Sequence, residues 1–339
     1  MDALRLLFAS IVVFAHGYDL SLSHALLWYR PYADTVLAVR GFFVISGFLV
    51  FMSYERSATP GEYLVKRARR IYPAYLTVVV GCALLGACVS SLPASQYFGR
   101  ELLAYLASNL LFLNFLHPTL PGVFAGNPLA AVDGSLWTIK IEVAFYLSVP
   151  LIVWAMRRLG RLRTLGAIFV GSLAYSGLCT LLARTGGQAI WLLLAKQLPA
   201  QMVYFVSGAL CYYYHDWIAR HLRVVAPLGL ACLAIGWTWG VQALYAPGLA
   251  SAVFLLAFGP MPVHFARFGD LSYGLYIWHF PIIQALIAAG WFAASPYTGL
   301  LAAWGAALLA AALSWHLVEK PWLARGSHYV LASRVLASS

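Results

Sequence analysis

The sequence predicts an all-α, polytopic membrane protein, a bundle of about ten transmembrane helices. Of its 339 residues, 62% are hydrophobic and only 10% are charged, whereas soluble domains carry about 25% charged residues. The mean hydropathy is +0.79, and apolar runs of spanning length interrupt every stretch that could form a soluble domain. We therefore expect a single transmembrane domain over residues 1–325 and a short cytoplasmic tail over 326–339, with no appended soluble domain.

Crossing the hydrocarbon core takes about 20 apolar residues per helix. Ten runs meet this requirement: 3–18, 36–54, 72–92, 135–156, 164–184, 189–214, 223–244, 247–265, 272–292 and 298–318. The segment 101–116 is apolar but short and contains Asn109 and Asn114. Counting this segment as a span gives eleven crossings, and leaving it out gives ten.

The distribution of basic residues favours ten crossings. With ten, the clusters KRARR (66–70) and RRLGRLR (157–163) lie on the same side as both termini, and the excess of Lys and Arg places that side in the cytoplasm. Residues 93–134 then form an outer loop with a short interfacial or re-entrant helix. The net charge of +11 is explained by this topology, so the lipid bilayer, and no nucleic acid, is the expected partner.

Metal and disulfide chemistry are not expected. The five cysteines all lie in apolar runs without paired ligand spacing, which is typical of buried small hydrophobic residues. No two histidines stand three or four residues apart within a predicted span, so no metal site is predicted.

The first predicted span carries ionisable residues at both ends of RLLFASIVVFAH (5–16). Arg5 and His16 are eleven residues apart, which is about 20° beyond three helical turns, so both side chains share one face, separated by ~16 Å along the axis. Ionisable groups inside a membrane usually face a cavity or a partner. The alternative is an arginine that extends to the cytoplasmic headgroups and a histidine at the opposite interface.

Two further segments carry candidate functional residues. In YLVKRARRIYPAYL (63–76), Arg67 and Arg70 are spaced i, i+3 and suit phosphate recognition, although a topology signal is the alternative; Pro73 is expected in the first turn of the next helix. In DGSLWTIKIEVAFYL (133–147), Glu142 is a carboxylate at membrane depth that needs a partner. A His16–Glu142 pair would have the parts for general-base catalysis.

Other segments leave two interpretations open. His279, in SYGLYIWHFPI (272–282), is as compatible with a structural role as with a functional one. The segment GFFVISGFLV (41–50), with Gly41, Ser46 and Gly47, is typical of close helix packing, and catalysis by Ser46 is the less favoured alternative.

These segments, in this order, together with the terminal VEKP, resemble the acyltransferase-3 family of bacterial membrane acyltransferases, from residue 4 to about 321. Members of that family include O-acetylases of lipopolysaccharide O-antigen and of other exported polysaccharides. The resemblance implies about ten spans in the bacterial inner membrane. It also implies a multi-pass enzyme that uses cytoplasmic acyl-CoA, usually acetyl-CoA, to acylate an acceptor hydroxyl at the outer face.

The same resemblance implies roles for particular residues. Arg5 and His16 match the Arg/Lys–His motif of the first helix, and His16 matches the proposed catalytic residue. Arg67 and Arg70 match the R-x-x-R motif associated with the acyl donor, and Glu142 matches the carboxylate that follows S-L-W. Some members carry a periplasmic hydrolase-like extension, which is not expected in this chain.

The resulting hypothesis is a membrane O-acyltransferase for a glycan or a lipid-linked saccharide. The CoA phosphates are expected at Arg67, Arg70 and Arg5, and proton transfer at His16 with the help of Glu142, through either a ternary complex or an acyl-histidine. The alternatives are a transporter of small acids or lipid-linked sugars with His16, Glu142 and Lys196 as a proton relay, and a scaffold subunit in which neither Arg67 nor His16 matters.

Overall fold

The computed structural model describes residues 1–258 and 269–323, and these residues form α-helices and turns without any β-strand. The longer helices are α1 Asp2–Ser21, α2 Thr35–Glu55, α3 Pro60–Val89, α4 Arg100–Leu110, α5 Trp137–Leu159, α6 Arg161–Gly186, α7 Leu198–Tyr213, α8 Leu222–Trp239, α9 Gln242–Phe258, α10 Leu271–Ala288 and α11 Pro296–Ser314. Shorter helical segments lie at Ala94–Tyr97, Ala189–Leu194, His215–Arg220, Trp291–Ala294 and Lys320–Trp322. His24–Tyr32 and Gly134–Leu136 are 3-10 helices, and Trp315–Glu319 is a π-helical turn.

The predicted all-α membrane fold is confirmed. Among the described residues, nine helical segments are long and apolar enough to cross a membrane, and the 17-residue α9 is a further, shorter apolar helix. Together they correspond to the ten predicted runs. The end of the predicted run 247–265 and the predicted tail 326–339 lie outside the described residues.

The segment 101–116 does not form a spanning helix. Its helix, α4, has 11 residues, which is ~16 Å and about half of the hydrocarbon thickness. Asn109, the second-last residue of this helix, is buried, and its amide nitrogen donates to the carbonyls of Tyr105 (2.8 Å) and His117 (3.0 Å). The hydroxyl of Tyr75 donates to the carbonyl of Asn109 (2.7 Å), which attaches the end of α4 to α3.

One sequence expectation about α3 is wrong. Pro73 was expected in the first turn of a helix, but α3 begins at Pro60, and Pro73 lies inside it. The start of α3 has its own signal: Thr59 Oγ1 accepts the N–H of Glu62 (3.1 Å), and the Glu62 carboxylate accepts the N–H of Ala58 (2.8 Å). These bonds satisfy N–H groups that a helix start leaves open, so the basic segment before Pro73 is helical.

The described chain divides into two compact units. Unit A contains Asp2–Ala38, Lys66–Lys140 and residues 269–323, and unit B contains Val39–Val65 and residues 141–258. Most of the residues predicted for function fall in unit A.

In unit A, α10 packs against both α1 and α11. Arg5 contacts Asp270 at the start of α10, and His16 contacts His279 nine residues later, so α1 and α10 run in the same direction. Two spans are parallel when an odd number of spans lies between them. The ten-span count makes α1 and α10 the first and ninth spans, which fits, whereas counting 101–116 as a span would make them antiparallel.

In unit B, α2 and α7 cross at two glycines. A Cβ at Gly47 would lie 2.0 Å from the carbonyl oxygen of Phe205, and a Cβ at Gly208 would lie 1.9 Å from that of Val44. Such backbone contact is possible only without side chains, as in small-residue packing of membrane helices. The prediction of close packing around Gly47 is therefore confirmed.

Candidate active site

Two histidines meet in unit A. His16 Nδ1 and His279 Nε2 are 2.8 Å apart, which is hydrogen-bonding distance. The ring centroids are 5.1 Å apart and the planes differ by 7°, so the nearly parallel rings face each other nitrogen to nitrogen. His279 is fully buried, whereas His16 remains partly exposed. This arrangement leaves Nε2 of His16 as the ring nitrogen that can meet a substrate.

Each ring has a further contact that fixes its orientation. Nδ1 of His279 lies 2.6 Å from the carbonyl oxygen of Tyr276, one turn earlier in α10. The ring of Phe280 packs edge-on against His16, with centroids 5.4 Å apart. A Cβ at Gly134 would lie 2.8 Å from the Phe280 ring, so the glycine allows this ring to sit between the 3-10 turn and His16.

The segment that leads into α5 supports α10 at the level of Tyr276. Thr138 Oγ1 lies 2.8 Å from the Tyr276 hydroxyl, and the Oγ of Ser135 donates to Oδ1 of Asp133 (2.6 Å). The Ser135 N–H also donates to that oxygen (2.9 Å), so Asp133 caps the 3-10 turn. Burial raises the pKa of Asp133 to about 7, against the opposing effect of the Ser135 bonds.

A second cluster lies at the start of α10. The guanidinium groups of Arg5 and Arg70 both donate to Oδ2 of Asp270, and Arg70 also donates to Glu319 (2.8 Å). Both carboxylates are about 1% exposed, and the side chains of Arg5 and Arg70 are 15% and 11% exposed. Two arginines and two carboxyl groups therefore form a largely buried hydrogen-bonded network.

The charge state of Asp270 follows from these contacts. Burial alone would raise its pKa, but Arg5, Arg70 and the hydrogen bonds from Ser272 outweigh burial and hold the pKa below its usual range. The carboxylate also caps α10 by accepting the N–H of Ser272 (3.2 Å). Asp270 is thus ionised and joins three elements: α1, α3 and α10.

The structure brings together some predicted residues and leaves others apart. Arg5 and His16 lie on α1, as predicted, and Arg5 and Arg70 meet at one carboxylate. Arg67 is half-buried on α3, one turn before Arg70. Glu142 belongs to unit B, where its carboxylate accepts the hydroxyl of Tyr146 (2.6 Å), so its pairing with His16 stays a prediction.

Two residues of the site had little signal in the sequence. His279 stood among apolar and aromatic residues, and nothing in its spacing indicated His16, which is 263 residues away. Asp270 could have been noticed as a helix cap, because Asp followed two positions later by Ser precedes an apolar run. Its ion pairs with Arg5 and Arg70 could not be read from the sequence.

Sequence comparisons match most of this chain to one protein family and to named relatives. The sequence profile of a family described as an acyltransferase domain matches residues 1–319. The chain is 31% identical to nodulation protein 10 of Rhizobium leguminosarum bv. viciae, over 94% of this chain and 92% of that protein. It is 25% identical to an O-acetyl transferase of Shigella phage Sf6, over 96% of each. It is 26% identical to the exopolysaccharide production protein ExoZ of Rhizobium meliloti (strain 1021), over 84% and 88%.

No solved structure matches the chain significantly. The family profile nevertheless extends from the first helix, with Arg5 and His16, to Glu319 in the ion-pair network. It therefore covers every residue of the two clusters described above. The chain is a member of the acyltransferase-3 family and is an acyltransferase.

Proposed function

We propose that this enzyme transfers an acyl group, in the first place acetyl, from cytoplasmic acyl-CoA to a hydroxyl of an exported or surface glycan. The family supports the reaction type, and the name of the phage relative supports O-acetyl transfer. The exopolysaccharide name of a third relative supports a glycan or lipid-linked saccharide as the acceptor. The enzyme is proposed to act as a multi-pass protein of the bacterial inner membrane, with both termini in the cytoplasm.

The observation that carries the proposal is the state of the His16 ring. Its Nδ1 is engaged with His279, while the ring remains partly exposed, so Nε2 can act as a general base. In the proposed step, Nε2 takes the proton of the acceptor hydroxyl as its oxygen attacks the thioester carbonyl. The carbon–sulfur bond then breaks, the thiolate of CoA leaves, and His16 returns the proton to that sulfur.

A single substitution tests this role. His16→Ala is expected to reduce transfer of labelled acetyl from acetyl-CoA to an envelope glycan fraction by about 10²- to 10⁴-fold, the usual contribution of a general base. The matched control is His24→Ala, because His24 is an exposed histidine of the neighbouring 3-10 helix. Full activity of the His16 variant, at equal amounts of folded protein, would overturn the proposed function of this residue.

The donor end of the site is proposed to lie at Arg5, Arg67 and Arg70. Asp270 holds the guanidinium groups of Arg5 and Arg70 side by side on one oxygen, and Arg67 adds a third guanidinium one turn away on α3. Paired guanidinium groups suit phosphate oxygens. The eleven residues from Arg5 to His16 span ~16 Å of helix, a distance comparable to the reach of the pantetheine arm between the CoA phosphates and the thioester.

A truncated acyl donor distinguishes a loss of phosphate binding from general damage to the enzyme. Arg67→Gln is expected to raise the KM for acetyl-CoA by about 10- to 100-fold, the effect of losing one or two hydrogen bonds to a charged group. With acetyl-pantetheine, which lacks the nucleotide and its phosphates, the variant and the parent enzyme are expected to have equal rates. An equal loss with both donors would contradict a phosphate role for Arg67.

Glu142 remains the proposed assistant of proton transfer. Glu142→Gln preserves the shape of the side chain and can still accept the Tyr146 hydroxyl bond seen in unit B. A fall in kcat without a change in the KM for acetyl-CoA is expected if the carboxylate charge stabilises the imidazolium form of His16. An unchanged kcat would remove Glu142 from the catalytic group and leave its bond to Tyr146 as its role.

A further inference from the structure

We propose that His279 is a positioning residue, which holds His16 in the tautomer that carries its proton on Nδ1 and its lone pair on Nε2. This inference rests on the proposed function of His16 as the base. It assigns a role to a residue that sequence reasoning left undecided, and it states which of the two ring nitrogens of His16 does the chemistry.

The assignment begins at the carbonyl of Tyr276. A carbonyl oxygen can only accept a hydrogen bond, so Nδ1 of His279, 2.6 Å away, must carry a proton. In a neutral imidazole the other nitrogen then has a lone pair. Nε2 of His279 is that nitrogen, and it points at Nδ1 of His16.

Only one proton can lie between the two rings, since their nitrogens are 2.8 Å apart. If that proton belonged to Nε2 of His279, the ring of His279 would be a cation in a fully buried position, and burying an unpaired charge is costly. The proton therefore belongs to Nδ1 of His16. The neutral ring of His16 then has its lone pair on Nε2, the nitrogen left for the substrate.

The same hydrogen bond serves the reaction. When Nε2 of His16 takes a proton, both of its nitrogens carry hydrogen, and the Nδ1–H bond to the neutral His279 becomes charge-assisted and stronger. In a Ser-His-Asp triad, a carboxylate accepts the corresponding Nδ1–H bond of the histidine, and this bond orients and stabilises the ring. His279 has the same orienting role, but it provides a dipole in place of a full negative charge.

His279 is itself held in place. It lies one turn after Tyr276, whose hydroxyl contacts Thr138. Five residues after His279 in the same helix, the buried Gln284 donates to the carbonyls of Leu129 and Ala131, both at 2.6 Å. Rigid supports of this kind keep a catalytic ring within the narrow range of orientation that catalysis needs.

Substitution of His279 tests the role. His279→Leu is expected to lower kcat by about 10- to 1,000-fold, which is less than the ~10⁴-fold loss caused by a wrong tautomer in a Ser-His-Asp triad. His279→Gln, whose side-chain oxygen can accept the Nδ1–H bond of His16, is expected to retain part of the activity that His279→Leu loses. The control is His215→Leu, because His215 is a half-buried histidine packed on Phe254 and Phe258 in unit B.

A methylated histidine distinguishes tautomer control from a merely structural role. Nδ1-methylhistidine in place of His16 can have its lone pair only on Nε2. In the parent enzyme the methyl group would enter the 2.8 Å contact with His279 and is expected to abolish activity. In the His279→Ala background it has room, and it is expected to restore activity above that of His279→Ala alone by about 10-fold or more.

Nitrogen NMR of labelled histidine provides an independent readout. The intact enzyme is expected to show a protonated Nδ1 on His16 with a coupling across the bond to His279, and His279→Leu to shift the proton of His16 toward Nε2. A protonated Nε2 in the intact enzyme, or no rescue by the methylated residue, would overturn the inference. If His16→Ala retains activity, the proposed function of His16 fails instead. If His279→Leu retains activity and His16→Ala does not, His16 remains the base and His279 is not its positioning residue.

Discussion

Removing the charge of Asp270 tests the ion-pair network, and Asp270→Asn is the smallest change that does so. The amide keeps an oxygen that can accept the N–H of Ser272 and so preserves the helix cap. It removes the anion that Arg5 and Arg70 share. The substitution therefore isolates the electrostatic contribution from the contribution of capping.

The expected loss is large because the carboxylate is about 1% exposed and its two arginines are 15% and 11% exposed. Removing one partner of a buried ion pair costs about 3–5 kcal/mol, chiefly because it leaves buried charges uncompensated. Arg70 keeps its bond to Glu319 (2.8 Å), so we expect a loss of about 3 kcal/mol. Since the pKa of Asp270 is held below its usual range, its contribution is lost only in strong acid, and the difference should be constant from about pH 5 to about pH 9.

The assay is unfolding in mixed detergent micelles on titration with SDS, followed by circular dichroism. Asp19→Asn is the matched control, because Asp19 pairs with Arg30 at 2.7 Å but their side chains are 34% and 29% exposed. Solvent screens a partly exposed pair, so we expect it to contribute about 1 kcal/mol or less. Adding Arg5→Gln to Asp270→Asn should relieve part of the loss, because it removes one of the two cations that faced the Asp270 carboxylate. Equal losses for Asp270→Asn and Asp19→Asn, or strictly additive losses in the double variant, would refute this reasoning.

Three further substitutions test other parts of the structure. The folded-state pKa of Asp133, about 7, lies above the usual aspartate value, so the stability that its neutral carboxyl group provides is lost as the pH rises through 7. Asp133→Asn should therefore be more stable than the parent above pH 7 and similarly stable at about pH 4. A pH-independent difference in SDS unfolding would contradict this. In Gly134→Ala, the new Cβ would lie 2.8 Å from the Phe280 ring, and the displaced ring should lower kcat by disturbing His16. Adding Phe280→Leu to Gly134→Ala should restore activity. No rescue by the double variant in the acetyl-transfer assay would show that the Phe280 ring does not transmit the effect of Gly134→Ala to His16. Gly208→Ala, whose Cβ would lie 1.9 Å from a backbone oxygen, should lower stability by about 3 kcal/mol or prevent folding. The control Gly171→Ala, with nothing within 4 Å of its Cβ, should change stability by less than about 1 kcal/mol. Similar thermal stability of the two variants in detergent would show that the packing of α2 on α7 does not need Gly208.

The helices were predictable because membrane insertion is governed by local composition. A run of about 20 apolar residues must form its backbone hydrogen bonds internally, and the helix is the form that allows this in lipid. The shared face of Arg5 and His16 was predictable for the same reason, since the period of the helix is fixed. The early start of α3 was missed because hydropathy locates apolar residues, and five of the eleven residues from Pro60 to Arg70 are charged.

The pairing of side chains was not predictable from one sequence. Asp270 lies 265 residues from Arg5 and 200 from Arg70, and His279 lies 263 residues from His16. Helical periodicity indicates which residues share one face of a helix. It does not indicate which other helix packs against that face. The expected carboxylate partner of His16, Glu142, falls in unit B, and the ring that contacts His16 in unit A belongs to another histidine.

The sequence by itself determined the all-α membrane fold, the positions of the ten apolar runs, the family resemblance and the placement of Arg5 and His16 on one helix face, because each depends on local composition, order or periodicity. Only the tertiary structure decided that α10 packs beside α1. That packing brings the carboxylate of Asp270 to the arginines and the ring of His279 to His16. These contacts depend on how helices far apart in the chain pack against one another, which no local pattern specifies.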